Sequence, residues 1–493
     1  MSATPNTSPA GNQSNNRWRR LILVLGVASL PVLSFFLGRQ SVPRVPVEIG
    51  VGTAALTAEQ TAGVLVLPKD LRPFVRLLSA LDTDVLGALA TIEANWHDAH
   101  AVMVLEASKF TKHPGVGQLC LAILRRRTGQ TFGSDANEWY AWIWRTNPGT
   151  HPDYALFKAA LYQLVDPRFR QYFDPKPPST IRLDEIRWGG VRRDGIPPLQ
   201  KPKMISVEEA TYLEDDNVVF GIEINGDARA YPKRILAWHE MFRDTVGGRS
   251  VNGVYCTLCG SMILYDTVVD GVHHELGTSG FLYRSNKLMY DHATKSLWST
   301  LAGRPVVGAL VGKQIELERL HVVTTTWSEW RKRHPQTLVL SLETGHRRDY
   351  GEGVAYRDYF SHDDLMFTVP HTDLRLKNKD EVLALQWRDS PGEQLAISAD
   401  FLKENLIHHD SLGGLAFVVL TDLSGANRVY ESGGLRFTAW DGDRTVQDEK
   451  QNSWQLEEAA LVNGDGRRLE RLPAHRAFWF GWHGAYPKTR LVK

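Results

Sequence analysis

Two cysteines separated by two residues are the strongest chemical signal in the sequence. They lie in Val254-Tyr255-Cys256-Thr257-Leu258-Cys259-Gly260. This spacing lets both sulfurs face one side of a tight turn, as a shared metal, a reversible dithiol or a static cross-link requires. The third cysteine, Cys120, lies in an apolar helical pattern and is predicted to be a buried small hydrophobe. The paired cysteines therefore mark the predicted site.

A metal is the first of the three uses of this pair. No second C-x-x-C exists, so histidines or carboxylates would have to complete a zinc site. His239 is the preferred third ligand, although His273, His274 and His292 are also near in sequence. Thiolates with imidazole suit zinc or copper, and Cu(I) in particular. The predicted metal site is Cys256, Cys259 and His239 with copper or zinc.

The two other uses stay open. The motif follows one strand-like run and precedes another, which argues against a thioredoxin fold but not against redox chemistry. A structural metal or a disulfide that ties one turn is the third interpretation.

Polar residues near the motif predict the wall of a pocket. Adjacent residues on a helix point about 100° apart, so Glu240 is expected to orient His239 or to act as a base. The predicted catalytic residues are Glu240, Tyr283 and Ser285, and the predicted substrate-binding residues are Arg229, Ser279, Arg284 and Asn286. G-x-S-x-G, H-E-x-x-H and phosphate-binding glycine loops are missing from the sequence, which disfavours serine hydrolases, metalloproteases and nucleotide enzymes.

The length and net charge of the chain limit the number of domains and the class of partner. A chain of 493 residues predicts two to four domains, and a net charge of +1 gives no reason to expect nucleic acid as a partner. An uncharged apolar run at 21–38 follows three arginines and predicts a signal anchor with the bulk of the chain in the periplasm. A cleaved signal peptide, which would leave a secreted protein, is the alternative.

The pattern of apolar residues divides the chain. Residues 56–173 show helical periodicity in short segments, which predicts HEAT- or armadillo-like repeats that could bind a partner protein. Later runs are β-branched and aromatic between turn residues. The predicted segments are a disordered cytoplasmic tail (1–20), a transmembrane anchor (21–38), a linker (39–55), an α-helical repeat domain (56–173), a linker (174–199), a first β-unit with the site (200–340), a connection (341–369) and a second, degenerate β-unit (370–493).

An internal repeat relates the two β-units. Trp327-x-x-Trp330-x-x-x-x-Pro335-x-Thr337 returns with identical spacing as Trp479-x-x-Trp482-x-x-x-x-Pro487-x-Thr489. Residues shared by both copies are best explained by the fold. The cysteines, His239-Glu240 and the polar run at 279–286 occur only in the first copy, which places the predicted site there.

Several colinear motifs resemble one bacterial family, DUF3179, a domain of unknown function. They are Trp188-Gly189-Gly190, Ala228-Arg229-Ala230-Tyr231-Pro232, Trp238-His239-Glu240, Tyr255-Cys256-x-x-Cys259-Gly260, Thr278-Ser279-Gly280-x-Leu282-Tyr283-x-Ser285-Asn286 and Trp327-x-x-Trp330. Thr257 stands where members often have proline. The helical region resembles HEAT-type repeats, with Thr128-Gly129-Gln130-x-Phe132-Gly133 as a closing motif. The resemblance implies domain limits and no reaction.

These observations predict an α+β fold: a membrane anchor, a HEAT/armadillo-like helical domain and a duplicated, mainly β domain. The expected function is that of an extracytoplasmic protein with a Cys/His copper or zinc site, acting as an oxidoreductase or in metal handling. The alternative is a non-catalytic module that binds protein or glycan and uses its cysteines structurally.

Overall fold

Strands dominate the part of the chain that the computed structural model describes, which is residues 65–79, 82–111 and 114–493. The structure is mostly β-sheet and 24% helical. The predicted tail, anchor and first linker lie outside the described residues. Among those described, no helix combines the length and the apolar composition that a bilayer span needs.

In the described part of the chain, six helices precede the sheets. They are α1 Arg72–Arg76, α2 Asp82–Ala94, α3 His100–Ser108, α4 Pro114–Thr128, α5 Ala136–Thr146 and α6 Tyr154–Tyr162, followed by a 3-10 helix at Pro167–Tyr172. Helix α5 shows why they form: the Asp135 side chain accepts a hydrogen bond from the backbone N–H of Asn137 at the start, and Asn147 ends the helix in the left-handed conformation. Its buried face presents Trp139 and Ile143 to the core.

The predicted HEAT/armadillo-like helical domain is wrong, and so is the fold class that contained it. The buried faces of the helices share one hydrophobic core with strand residues such as Ile186, Phe281 and Leu297. Lys158 of α6 crosses this boundary, because its Nζ donates to Glu106 Oε1 at 2.7 Å and to the carbonyl of Ile186 at 2.8 Å. Helical periodicity identifies an apolar face but not the element that covers it. Here a sheet covers it instead of a further helical repeat.

Seventeen strands and three helices build the first half of the sheet region. The strands are β1 Ile186–Trp188, β2 Leu199–Gln200, β3 Met204–Ile205, β4 Val218–Ile224, β5 Asp227–Pro232, β6 Met241–Val246, β7 Arg249–Cys256, β8 Ser261–Asp266, β9 Val268–Val269, β10 Val272–His273, β11 Leu276–Tyr283, β12 Asn286–Asp291, β13 Leu297–Ser299, β14 Arg304–Val307, β15 Arg319–Leu320, β16 Val323–Thr326 and β17 Leu338–Leu340. The helices are α7 Lys233–His239, α8 Trp327–Arg333 and α9 Arg357–Phe360.

Twelve strands and two helices complete the chain. The strands are β18 Glu381–Leu385, β19 Leu395–Ser398, β20 Ile407–Leu412, β21 Leu415–Thr421, β22 Asn427–Glu431, β23 Phe437–Trp440, β24 Thr445–Asp448, β25 Ser453–Leu456, β26 Ala460–Asn463, β27 Arg468–Leu472, β28 His475–Phe478 and β29 Arg490–Val492. The helices are α10 Ala399–Glu404 and α11 Trp479–Ala485.

The two β-units use the same strand order. One sheet has the order β16-β4-β5-β17-β3 and another has β28-β18-β19-β29, each with two antiparallel pairs followed by a parallel pair. The order β6-β7-β8-β15 likewise corresponds to β20-β21-β22-β27. The repeated tryptophan motif forms α8 and α11, where Trp330 Nε1 donates to Thr337 Oγ1 and Trp482 Nε1 to Thr489 Oγ1, both at 3.0 Å.

Buried charged side chains link the two β-units where they meet, and we call this boundary the seam. Arg428 of β22 is 1% exposed, and its guanidinium donates to Glu458 Oε1 at 2.7 and 2.9 Å and to Asp422 Oδ2 at 2.9 Å. Arg333 of α8 lies 3.7 Å from the same Asp422 oxygen, and Arg471 pairs with Glu458. Buried charges of this kind are tolerated only when they are paired and hydrogen-bonded.

Acid is expected to destabilise the fold through buried histidines. Burial lowers the pKa of His475 to about 3, helped by nearby Arg319. Below its unfolded pKa of about 6.5, the unfolded chain takes up a proton that the folded chain excludes, so stability falls as pH decreases toward 3. Between about pH 7.5 and 5.5, His475 should cost about 1.4 kcal/mol. Urea unfolding at both pH values measures how much free energy of unfolding is lost on acidification. This loss should be about 1.4 kcal/mol smaller in His475→Gln than in the wild type. In the control His362→Gln, which changes an exposed histidine, the loss should be the same as in the wild type.

Candidate functional site

The hairpin of β7 and β8 holds the two thiols. Cys256 ends β7 and pairs with Ser261, the first residue of β8, so that Cys259 lies within the connecting turn. Gly260 closes the turn with φ +61, where an added Cβ would lie 2.9 Å from the ring of Phe478. Cys256 and Cys259 are free thiols with 2% and 1% exposure. The turn therefore points both sulfurs into the protein.

The two thiols interact and differ in acidity. Burial opposes ionisation of both, but hydrogen bonds from the Cys259 thiol and the backbone N–H of Lys287 lower the pKa of Cys256 below its usual value. Burial and the hydrogen bond to Cys256 raise the pKa of Cys259 well above its usual value. Ser261 Oγ lies 3.4 Å from Cys259 Sγ. Of the two thiols, Cys256 is thus the more readily ionised and Cys259 the less readily ionised.

A buried ion pair lies next to the thiols. Glu240 follows α7 in the left-handed conformation (φ 56), and its carbonyl accepts from the backbone N–H of Tyr255 at 2.9 Å. Its Oε1 accepts from Thr257 Oγ1 at 2.9 Å and from the Tyr356 hydroxyl at 3.1 Å, while Oε2 pairs with the Lys287 ammonium. The negative charge of Glu240 opposes ionisation of Cys256. A carboxylate and an ammonium therefore both lie near the dithiol, where their charges influence the ionisation of the thiols.

The second β-unit forms one wall of the site. The backbone N–H of Phe478 donates to the carbonyl of Cys259 at 2.8 Å. Gly481 of α11 approaches so closely that an added Cβ would lie 2.5 Å from Cys259 Cβ. Asn286 Nδ2 donates to the carbonyl of Gly481 at 3.0 Å. The second β-unit, which has no cysteine, thus encloses the two cysteines of the first β-unit.

A segment of the connection covers the remaining side. We call residues 356–369 the strap. The hydroxyl of Tyr359 donates to the carbonyl of Leu258 at 2.7 Å, and Ser285 Oγ donates to the carbonyl of Phe367 at 2.5 Å. Tyr359 and Val369 share a hydrophobic cluster with the two cysteines. The strap therefore excludes water from the dithiol.

Comparison with known proteins identifies the family. A family model described as "Protein of unknown function (DUF3179)" matches residues 193–489, more than half of the chain. The chain belongs to the DUF3179 family. No curated protein and no solved structure shows significant similarity to it. The match covers the first β-unit and all of the second except its last strand, and the helices before residue 193 lie outside it.

In this DUF3179 protein the predicted third metal ligand does not join the cysteines. His239 is fully buried, its Nδ1 lies 2.9 Å from the carbonyl oxygen of Pro197, and its Nε2 lies 2.6 Å from the Tyr350 hydroxyl. Burial lowers the pKa of His239 to about 4. Both ring nitrogens therefore have protein partners. The predicted grouping of His239 with the two thiols does not form.

In the described part of the DUF3179 protein, the side chains that are grouped closely enough to share a metal ion lie away from the cysteines. Within the described ranges, Asp70, His151 and Asp153 are the one group of three side chains whose ligand atoms lie within 4.8 Å of one another. His151 Nε2 is 3.0 Å from Asp70 Oδ2, and Nδ1 accepts from the backbone N–H of Asp153 at 3.1 Å. Because a neutral imidazole has one proton, these bonds leave no ring nitrogen free for a metal.

Four other predicted residues have structural partners. Arg229 pairs with Asp227 and Asp244, and Ser279 Oγ donates to the carbonyl of Leu288 at 2.5 Å. Arg284 pairs with Glu185. The half-buried Tyr283 packs against the helix–sheet core, where burial raises its pKa above the usual value.

The sequence missed Lys287, Thr257, Tyr356 and Gly481 as members of the site. Thr257 lies inside the cysteine motif and Lys287 directly follows Asn286, so adjacency could have suggested both. Tyr356 and Gly481 are about 100 and 220 residues away from the cysteines, and only the fold brings them there.

Proposed function

We propose that this protein is a thiol–disulfide oxidoreductase whose reactive groups are Cys256 and Cys259. The hydrogen-bonded thiol pair of unequal acidity carries this proposal. A thiolate is the nucleophile in disulfide exchange, and a neighbouring thiol completes the reaction. The extracytoplasmic location of the site remains a prediction from the sequence.

The reaction proceeds by two exchange steps. The Cys256 thiolate attacks one sulfur of a substrate disulfide, whose S–S bond breaks as a Cys256–substrate disulfide forms and the first substrate thiolate leaves. Cys259 then loses its proton and attacks Cys256 Sγ, which releases the second substrate thiolate and forms the Cys256–Cys259 disulfide. Two electrons pass from the protein to the substrate, and the proton of Cys259 and one from solvent protonate the products. The reverse sequence oxidises a substrate dithiol.

Glu240 and Lys287 support different steps. The raised pKa of Cys259 means that it needs a base before it can attack. We assign that role to the Glu240 carboxylate, whose charge acts on the neighbouring Cys256. The Lys287 ammonium holds this carboxylate, and the Lys287 backbone N–H donates to Cys256. Glu240 is thus the proton acceptor and Lys287 the residue that positions it.

The strap limits access to the dithiol. With Cys256 only 2% exposed, a substrate disulfide reaches its sulfur only after residues 356–369 move away. Hydrogen bonds from Tyr359 and Ser285 hold the strap in place. Resting protein is therefore protected from adventitious oxidation.

A redox titration tests the proposal. Wild-type protein equilibrated in glutathione buffers should gain and lose two thiols together, as counted by alkylation and mass spectrometry, with the disulfide mapped to Cys256 and Cys259. Cys120→Ser should titrate identically, because Cys120 is buried in the helices and burial raises its pKa to about 12. Cys256→Ser and Cys259→Ser should each abolish the two-electron transition. An unchanged count of three thiols across all buffers, or a disulfide that no buffer reduces, would contradict it.

Copper(I) binding is the second candidate. The two sulfurs are within hydrogen-bonding reach, and soft Cu(I) is held by thiolates alone. Zinc is less well served, because His239 is engaged and a closed site needs four ligands. Reduced protein that retains one Cu(I) against a competing chelator, and loses it in both Cys→Ser variants, would favour metal handling over exchange.

A further inference from the structure

A cleft lies at the seam of the β-units, away from the dithiol. Its volume is about 590 Å³. The first β-unit contributes the β4–β5 turn and residues 316–321, and the second contributes Arg388, Glu457 and Arg471. None of the lining residues belongs to the cluster around the cysteines. Size and position at a seam between units are typical of small-molecule sites.

Most charges in the cleft are already paired. Arg249 pairs with Glu318, and Arg471 pairs with Glu458 behind the wall. Glu316 pairs with Arg304.

Two further lining groups also have partners. Glu457 lies 3.4 Å from Arg468, and Arg319 donates to the carbonyl of Leu301 at 2.8 Å and to Gln386. These six charged lining residues thus have partners within the protein itself.

Two charged lining residues, one cation and one anion, have no partner of opposite charge among the described residues. Arg388 is exposed at the edge of the cleft, and no other described residue forms a hydrogen bond or ion pair with its guanidinium. Glu223 is half-buried and accepts a hydrogen bond from the backbone N–H of Gly226, but it has no cationic partner among the residues described. An unpaired guanidinium prefers a carboxylate or phosphate, and an unpaired carboxylate prefers an ammonium.

The neutral polar side chain of His321 also lines the cleft. His321 has no hydrogen bond to any described residue, and its Nδ1 is buried without a partner. Burial and the neighbouring Arg471 lower its pKa to about 3, so the ring is neutral. A neutral imidazole offers one donor and one acceptor, as an amide or a second polar group of a ligand requires.

We propose that this cleft binds a small zwitterion of the amino-acid or short-peptide class. Arg388 holds the ligand carboxylate, Glu223 holds its ammonium, and His321 hydrogen-bonds to the group between them. Two leftover charges of opposite sign in one cleft distinguish this ligand class from a simple anion. The inference does not depend on the redox chemistry of the cysteines.

Calorimetric titration of the purified full chain tests the proposal with three probes: Ala-Ala, its N-acetyl derivative and its C-terminal amide. Ala-Ala should bind, and removing either charge should weaken binding about tenfold or more. Arg388→Gln and Glu223→Gln should each weaken Ala-Ala binding similarly. Exposed Arg145→Gln and Glu404→Gln should have no effect.

The capped probes give the decisive comparison. In Arg388→Gln, amidating the carboxylate should cost no further affinity, because the partner of that group is already gone; in Glu223→Gln the same should hold for acetylation. No binding of Ala-Ala up to about 10 mM would overturn the proposal. Unchanged affinity in Glu223→Gln would also overturn it and would indicate a site for anions only.

Discussion

Replacing Arg428 with alanine is expected to lower the free energy of unfolding by about 3–5 kcal/mol. The guanidinium is 1% exposed and makes three hydrogen bonds to Glu458 and Asp422. Removing it leaves part of the negative charge of both carboxylates uncompensated inside the seam. Urea unfolding at neutral pH measures the loss directly.

The control for this prediction is Arg436→Ala, which removes an exposed arginine nearby and should change stability by less than about 0.5 kcal/mol. Arg428→Met separates packing from charge, because it restores most of the volume without the guanidinium. A loss below about 1 kcal/mol in Arg428→Ala would mean that Arg471 and Arg333 alone neutralise the buried carboxylates.

Glu240→Gln is expected to lower the pKa of Cys256 further. The carboxylate opposes ionisation of Cys256, whereas the Lys287 ammonium that remains favours it. Titration of the reduced protein, followed by ultraviolet absorbance of the thiolate, should show the first thiol ionising at lower pH. The same variant should slow closure of the disulfide, because Cys259 loses its proton acceptor.

Two variants keep this result interpretable. Glu240→Gln leaves the Lys287 charge buried, so Glu240→Gln/Lys287→Met removes both charges and should return the Cys256 pKa toward that of the wild type. Glu404→Gln, on the surface, should leave the titration unchanged. An unshifted or raised Cys256 pKa in Glu240→Gln would show that the carboxylate does not act on the thiol.

The structure brings together some of the residues that the sequence selected and separates others. Cys256, Cys259 and Glu240 lie together, whereas the chemistry predicted for them stays a prediction. His239 was misplaced because α7 ends there: the left-handed turn at Glu240 directs the two adjacent side chains to different surroundings. Ser285 lies near the site but holds the strap.

The errors in the fold have a similar cause. Periodicity at residues 56–173 indicated helices with one apolar face, and the described part of this segment does contain helices. The predicted domain was wrong because the sheet residues that cover those faces, such as Phe281, are more than 100 positions later. Gly481 shows the same limit, because no pattern in the neighbouring sequence reveals that Cys259 packs against its backbone, where a side chain would not fit.

The close approach of Gly481 to Cys259 limits how the chain can be shortened. Cutting after the first β-unit would remove α11 and the backbone N–H of Phe478, which donates to the Cys259 carbonyl. The thiols would then face solvent, where air oxidation and intermolecular disulfides replace controlled exchange. The smallest fragment that preserves a protected dithiol must therefore extend through Ala485, although the second β-unit carries no cysteine of its own.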